Sequence, residues 1–323
     1  MIRTVTILLI TSMALIGQSF AKADTSPDQQ AVLVTGASSG LGRVMAETMA
    51  ANGYFVYAGA RKDKDLEELT AIENIQGVRL DVNKQDQIDA AVKTISEAGR
   101  GLYGLVNNAG VAVVQPLIEI EEQDFDFQMN VNIYGPYRVT RAFAPLIIES
   151  KGRISIVGSI SGTLSSATWG PYTKTKFAME AYADALADEM KSFGVDVSLI
   201  QPGAYRSNIG KSALERMAEK NQSADDSKFK EAMDQSVNWL SRFESDQGDP
   251  MEVADTVMNA LFDDNPKPRY LIVPTQEQAY WTINRAIERM VEQNHDHKYS
   301  YDRAALIEML DAALAKQSGE VVQ

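Results

Sequence analysis

The chain has 323 residues, 45% hydrophobic and 23% charged, with no cysteine and a formal net charge of −13. That balance excludes a disordered, collagen-like or disulfide-stapled protein, and the missing cysteines exclude thiolate catalysis and thiolate zinc sites. The acidic surplus repels a phosphate backbone and no basic stripe offsets it, so nucleic acid is not an expected partner.

Met1-Ile2-Arg3 precedes an apolar run over residues 4–17 and then Gln18-Ser19-Phe20-Ala21-Lys22-Ala23. A positive start, an apolar centre and a small-x-small end form a secretory leader, with cleavage expected after Ala23. The run falls short of the roughly 17 to 25 residues that span a bilayer, and the alternative is a short membrane tether through residues 4–17. Either route takes the body out of the cytoplasm, to a periplasm or an organelle lumen. A start site assigned too early would instead leave it cytoplasmic.

From Ala31 onward, short β-branched runs alternate with longer amphipathic stretches. Strands are expected at 31–35, 54–59, 77–80, 104–107, 153–157, 195–200 and 269–273, and helices at 42–51, 66–72, 86–97, 124–148, 172–193 and 251–262. Such alternation makes successive βαβ units, hence an α/β fold with a doubly wound parallel sheet of about seven strands and helices on both faces. No repeat or proline-rich linker divides this body, which reads as one domain over 24–275. Residues 204–248 interrupt the rhythm with a polar, helix-prone insertion beyond a strand's carboxyl end, where ligands of open α/β sheets sit, and they read as a substrate lid. Residues 276–323 form a helical extension of unreadable role.

The first expected strand runs into Thr35-Gly36-Ala37-Ser38-Ser39-Gly40-Leu41-Gly42 and then a helix. Glycines at such a turn permit tight geometry and close approach of a pyrophosphate, whose charge the helix amino terminus favours. This loop, the later Asn107-Asn108-Ala109-Gly110, Ser159, and Tyr172-Thr173-Lys174-Thr175-Lys176 together resemble the short-chain dehydrogenase/reductase family in order and interval. Pro268-Arg269-Tyr270 adds a weaker likeness to its hydroxysteroid and retinol members. The resemblance implies a Rossmann-type domain holding both dinucleotide and substrate, and a homodimeric or homotetrameric assembly.

It also implies a set of cofactor contacts: Gly36, Ser38, Ser39, Gly40, Leu41 and Gly42 in the loop, Asp81 and Val82 beside the adenine, and Asn107, Ala109 and Gly110 in a supporting turn. Pro202, Gly203 and Ser207 would stand near the nicotinamide. At Ser207 the family commonly has threonine, and serine keeps the hydroxyl. Ala60 stands where members preferring NAD tend to have Asp, and Arg61 follows it. An arginine there can pair with a ribose 2′-phosphate, so NADP is expected over NAD. Asp81 could equally cap a helix.

The chemistry implied is acid–base work on a carbonyl. Pro171 suits a helix start, and Tyr172 and Lys176, four apart, share one face of that helix. The Lys176 ammonium is expected to favour the phenolate and to bind ribose hydroxyls. Tyr172 would exchange a proton with the substrate oxygen, Ser159 would hydrogen-bond the same oxygen, and Asn132 would support a water and proton relay to the lysine. The expected substrate is a small carbonyl or alcohol compound. The rival readings are a dinucleotide-binding sensor or scaffold without turnover, and epimerase or dehydratase chemistry on the same frame. His295 and His297 read as solvated rather than as metal ligands. Glu121, Glu122, Asp124 and Asp126 likewise read as a solvated helix entry.

Overall fold

The computed structural model describes residues 29–245 and 247–318, so the expected leader lies outside the described residues. The strands are β1 (Ala31–Val34), β2 (Phe55–Ala60), β3 (Ile75–Arg79), β4 (Gly104–Asn107), β5 (Arg153–Val157), β6 (Asp196–Pro202) and β7 (Arg269–Ile272). They form one parallel sheet in the order β3-β2-β1-β4-β5-β6-β7, with Leu33 paired to both Tyr57 and Leu105. Crossover helices lie on both faces: α1 (Gly40–Ala51), α2 (Asp63–Thr70), α3 (Gln85–Glu97), α4 (Glu122–Met129), α5 (Gly135–Glu149) and α6 (Gly170–Lys191). After β6 come α7 (Ile209–Glu219), α8 (Lys230–Leu240) and α9 (Met251–Phe262), and after β7 come α10 (Gln276–Asn294) and α11 (Arg303–Ser318). The expected Rossmann-type fold is what the chain adopts.

β1 explains why the expected strands are continuous apolar runs. Ala31 and Leu33 face a core shared with Ile88, Phe143 and Met179, whereas Val32 and Val34 face one shared with Met45, Met49 and Val257. A strand covered on both faces needs apolar side chains at every position. The sheet order turns between β1 and β4, so the connections leaving their carboxyl ends diverge and open a crevice there.

The single helix expected over 124–148 is two helices joined by a π-helical segment, Asn130–Tyr134. Pro136 lacks the amide hydrogen that would bond the Asn132 carbonyl, so the ladder is reset there. The insertion over 204–248 folds as α7 and α8, linked by the 3-10 turn Ala224–Asp226. Among the described residues, no helix is long and apolar enough to cross a membrane.

Candidate active site

β1 delivers the glycine loop to the crevice. Gly36 and Gly40 have φ of 67° and 55°, the left-handed region where a side chain is strained. Gly42 packs so closely that a methyl group there would strike the Gly36 carbonyl oxygen and Asn108 Nδ2. The α1 amino terminus has no side-chain cap and no acid in its first turn, which leaves its amides suited to an anion. A second loop braces the first. Thr35 Oγ1 accepts from the amides of Asn108 and Ala109 at 3.0 Å each, and Asn108 Nδ2 donates to the Thr35 carbonyl at 2.9 Å.

These loops wall a cavity of 480 Å³ that runs along the carboxyl edge of the sheet. Gly36, Ser38, Ser39, Gly40, Leu41 and Gly42 line it, as do Arg61, Asp81, Val82, Ala109 and Gly110. Ser159, Tyr172, Lys176, Pro202, Gly203 and Ser207 line the remainder. Two of the expected residues do not. Asn107 Nδ2 donates to Thr140 Oγ1 at 2.9 Å, inside the protein. The Asn132 amide is occupied by Val111 N at 2.9 Å, the Val111 carbonyl at 3.0 Å and Thr175 Oγ1 at 3.2 Å. Asn132 therefore grips α6 between Tyr172 and Lys176 from behind. Asn108 went unassigned although it stands inside the quoted Asn-Asn-Ala-Gly motif. Asp81 lines the cavity, and its carboxylate accepts from the Asn83 amide at 2.9 Å; it does not cap α3, whose N-cap position is Lys84.

At the far end of β2, Arg61 and Lys62 border the cavity, and neither forms an ion pair among the described residues. Neighbouring Arg79 pairs instead with Asp63 and donates to the Arg61 carbonyl at 2.5 Å. Two cations without an ion-pair partner among the described residues thus stand at the edge of the cleft. The glycine cradle and the uncapped helix terminus fit the pyrophosphate of a dinucleotide.

At the other end, Tyr172 and Lys176 are both 8% exposed and sit one turn apart on α6. Lys176 Nζ donates to the Val157 carbonyl at 2.9 Å and lies 5.7 Å from the Tyr172 ring centroid. Burial pushes the Tyr172 phenol up to about 12, only partly offset by its hydrogen bond with Ser159, and burial lowers Lys176 to about 8. Desolvation is the largest influence on the phenol here and acts against the phenolate that the ammonium is expected to favour. Tyr172 is held as a protonated acid. Ser159 Oγ also accepts from the Ser161 amide at 3.0 Å, which fixes its position at the start of the 3-10 turn Ile160–Gly162.

The acidic run at the start of α4 corrects another expectation. Asp124 is 1% exposed, and it binds Arg216 at 2.5 Å, Lys220 at 2.6 Å and Gln222 Nε2 at 3.2 Å. The Arg216 guanidinium also lies 3.8 Å over the Phe127 ring. Since Arg216 and Glu219 line the cavity, this buried carboxylate clasps α7 over the cleft. Burial alone would raise Asp124, but hydrogen bonds from Lys220 and Arg216 more than offset it and lower it below the usual value. A depressed carboxylate stabilises above its unfolded pKa and loses that contribution as pH falls through the folded one. Asp124→Asn should weaken the clasp by about 2 kcal/mol, read as faster hydrogen exchange of α7 amides. Acid should bring the wild type toward the variant; identical exchange at neutral pH would remove the clasp. His295 and His297 are exposed, and the His297 Nδ1 accepts from the Tyr299 amide at 3.2 Å.

A family model described as short chain dehydrogenase matches residues 30–218. The chain is 32% identical over 244 residues to the uncharacterized oxidoreductase YbbO of Escherichia coli K12, covering 75% of this chain and 85% of that protein. It is 32% identical over 259 residues to retinol dehydrogenase 7 of Rattus norvegicus, covering 74% and 79%. A metagenomic short-chain oxidoreductase solved in complex with NADP superposes with a TM-score of 0.60 at 26% identity, covering 77% of this chain and all of that one.

Proposed function

Because this chain belongs to the short-chain dehydrogenase/reductase family, a family of oxidoreductases working with nicotinamide dinucleotides, we propose that it interconverts a carbonyl compound and its alcohol with NADP. The observation that carries this reading is convergence. Ser159, Tyr172 and Gly203 line both the long polar cleft and a second, more apolar cavity beside it. A reacting carbonyl in the second cavity would present its oxygen to Ser159 and Tyr172.

The dinucleotide, when bound, supplies or receives the hydride. The Tyr172 hydroxyl gives its proton to the carbonyl oxygen as negative charge develops there, and takes it back in the oxidative direction. Ser159 Oγ donates to the same oxygen, placing a fixed dipole where the charge grows. Lys176 holds ribose hydroxyls and keeps a positive charge one turn from the phenol. Asn132 acts at one remove, fixing α6 through Thr175 and the loop through Val111. The body up to residue 275 acts as one catalytic domain with α7 and α8 as its lid, and α10 adds residues to the second cavity.

Reduction of a carbonyl panel with NADPH or NADH, followed by product chromatography, tests the proposal. No reduction of any member, with cofactor binding intact, would overturn it. Arg61→Ala should lower the ratio of NADP to NAD efficiency at least about tenfold, the equivalent of one charge-assisted phosphate contact. An unchanged ratio would remove the assignment of NADP to Arg61.

A further inference from the structure

The second cavity has a volume of 530 Å³ and opens beside Ser159 and Tyr172. Its aromatic and bulky apolar wall comes mainly from the loop after β5 with Leu164 and Trp169, the lid helix α8 with Trp239 and Leu240, and α10 with Trp281. The chain has three tryptophans, and all three stand in this wall. No Lys, Arg, Asp, Glu or His side chain lines it, in a chain that is 23% charged.

The tryptophans differ in how they are held. Trp169 Nε1 donates to Ser236 Oγ at 3.2 Å, Ser236 in turn bonds Thr168 Oγ1 at 2.7 Å, and the Trp169 ring meets Tyr172 edge-on at 5.9 Å. Its indole is therefore fixed beside the proposed acid. Trp239 meets Phe243 edge-on at 5.9 Å. Trp239 and Trp281 remain 39% and 43% exposed, so their apolar surface stands at the opening.

These facts constrain what can sit there. A carboxylate or phosphate entering the cavity would lose hydration with no counter-ion to replace it, a cost of several kcal/mol or more. A neutral π-system gains stacking and edge contacts with the indoles beyond its buried area. The volume lies within the range of roughly 300 to 1,000 Å³ typical of drug-sized ligand sites, larger than a three- or four-carbon ketone requires. Resting on the oxidoreductase reading above, we infer that the site selects neutral, flat carbonyl compounds with an aromatic or polyene body, and that Trp239 and Trp281 set that selection.

The consequence for the extension is direct. α10 is anchored by Gln278, whose Oε1 accepts from the Ala204 amide at 2.9 Å, and one turn of this helix brings Trp281 to the cavity. The segment beyond β7 thus completes the substrate site.

The test separates this inference from the reading it rests on. Calorimetric titration of NADP-loaded Tyr172→Phe protein with 2-acetylnaphthalene and with 6-acetyl-2-naphthoate measures binding without turnover. The neutral ketone should bind at least tenfold tighter than the carboxylate. Trp281→Ala and Trp239→Ala, made in the Tyr172→Phe background, should each weaken the neutral ketone at least fivefold, with Trp→Phe at the same positions restoring most of the loss. Equal affinities, tighter binding of the carboxylate, no binding of either, or alanine variants that bind as before would overturn the inference. Wild-type turnover of 2-acetylnaphthalene with NADPH is scored separately. Selective binding without turnover would sink the oxidoreductase proposal and leave the selectivity standing.

Discussion

Tyr172→Phe should lower carbonyl reduction at least about a thousandfold, within the range contributed by a positioned general acid, while dinucleotide affinity changes by less than about twofold because the Tyr172 hydroxyl is not among the proposed phosphate contacts. The substitution removes one oxygen and keeps the ring that meets Trp169 edge-on at 5.9 Å, so the helix and cavity should stay as they are. Burial keeps the phenol protonated, with its pKa pushed up to about 12, and the proton for a developing alkoxide is therefore present throughout the neutral range. Ser159 alone can orient the oxygen but has no comparable route to release a proton into it. Steady-state rates, paired with NADPH fluorescence titration, provide the check. Near wild-type turnover in the variant would remove Tyr172 as the acid.

The second large effect lies at the other end of the cleft. Gly42→Ala should weaken NADPH binding about a hundredfold, the scale on which a displacement of about 1 Å acts. The new methyl meets the Gly36 carbonyl oxygen, which is backbone and cannot swing aside, and Asn108 Nδ2, which is already bonded to Thr35. Relief requires the loop and the α1 amino terminus to part, and those are the groups proposed to receive the pyrophosphate. Affinity and thermal midpoint should be measured together. If the glycine loop were only a turn, the midpoint would fall while affinity per folded molecule stayed at the wild-type value.

The parts legible in the sequence share one property, which is locality. The glycine loop follows its strand immediately, and Tyr172 and Lys176 are one helical turn apart, so spacing alone predicts their geometry. The expected strands over 104–107 and 153–157 coincide with β4 and β5, whose Leu105, Val106, Ile154, Ile156 and Val157 are all buried. Where partners are distant, local reading fails. Asp124 sits among acids and reads as solvated, yet its partners Arg216 and Gln222 lie 92 and 98 residues further on. The depth of its burial follows from α7 folding back, which no pattern near residue 124 announces. The π-helical break before Pro136 divides the single helix expected over 124–148, because the missing amide hydrogen interrupts the ladder there. The burial that raises the Tyr172 phenol and lowers the Lys176 ammonium is equally unreadable from the spacing, because desolvation depends on how deeply both are enclosed. The role of the extension could not be read at all, since Gln278 and Trp281 acquire meaning only against a turn and a cavity built from other segments.

Gln278 also imposes an order on biosynthesis. A methyl group at Gly203 would displace Gln278 Oε1, the oxygen in which the neighbouring Ala204 amide finds its acceptor. A nascent polypeptide with β1 through β7 already outside the ribosome, but with Gln278 still in the exit tunnel, would have its sheet and glycine loop while that amide waited for its acceptor. Competence for substrate would then arrive with emergence of the last helices, so a ribosome stalled with β7 outside and Gln278 still inside the tunnel would carry a chain able to hold nucleotide and unable to enclose a ketone.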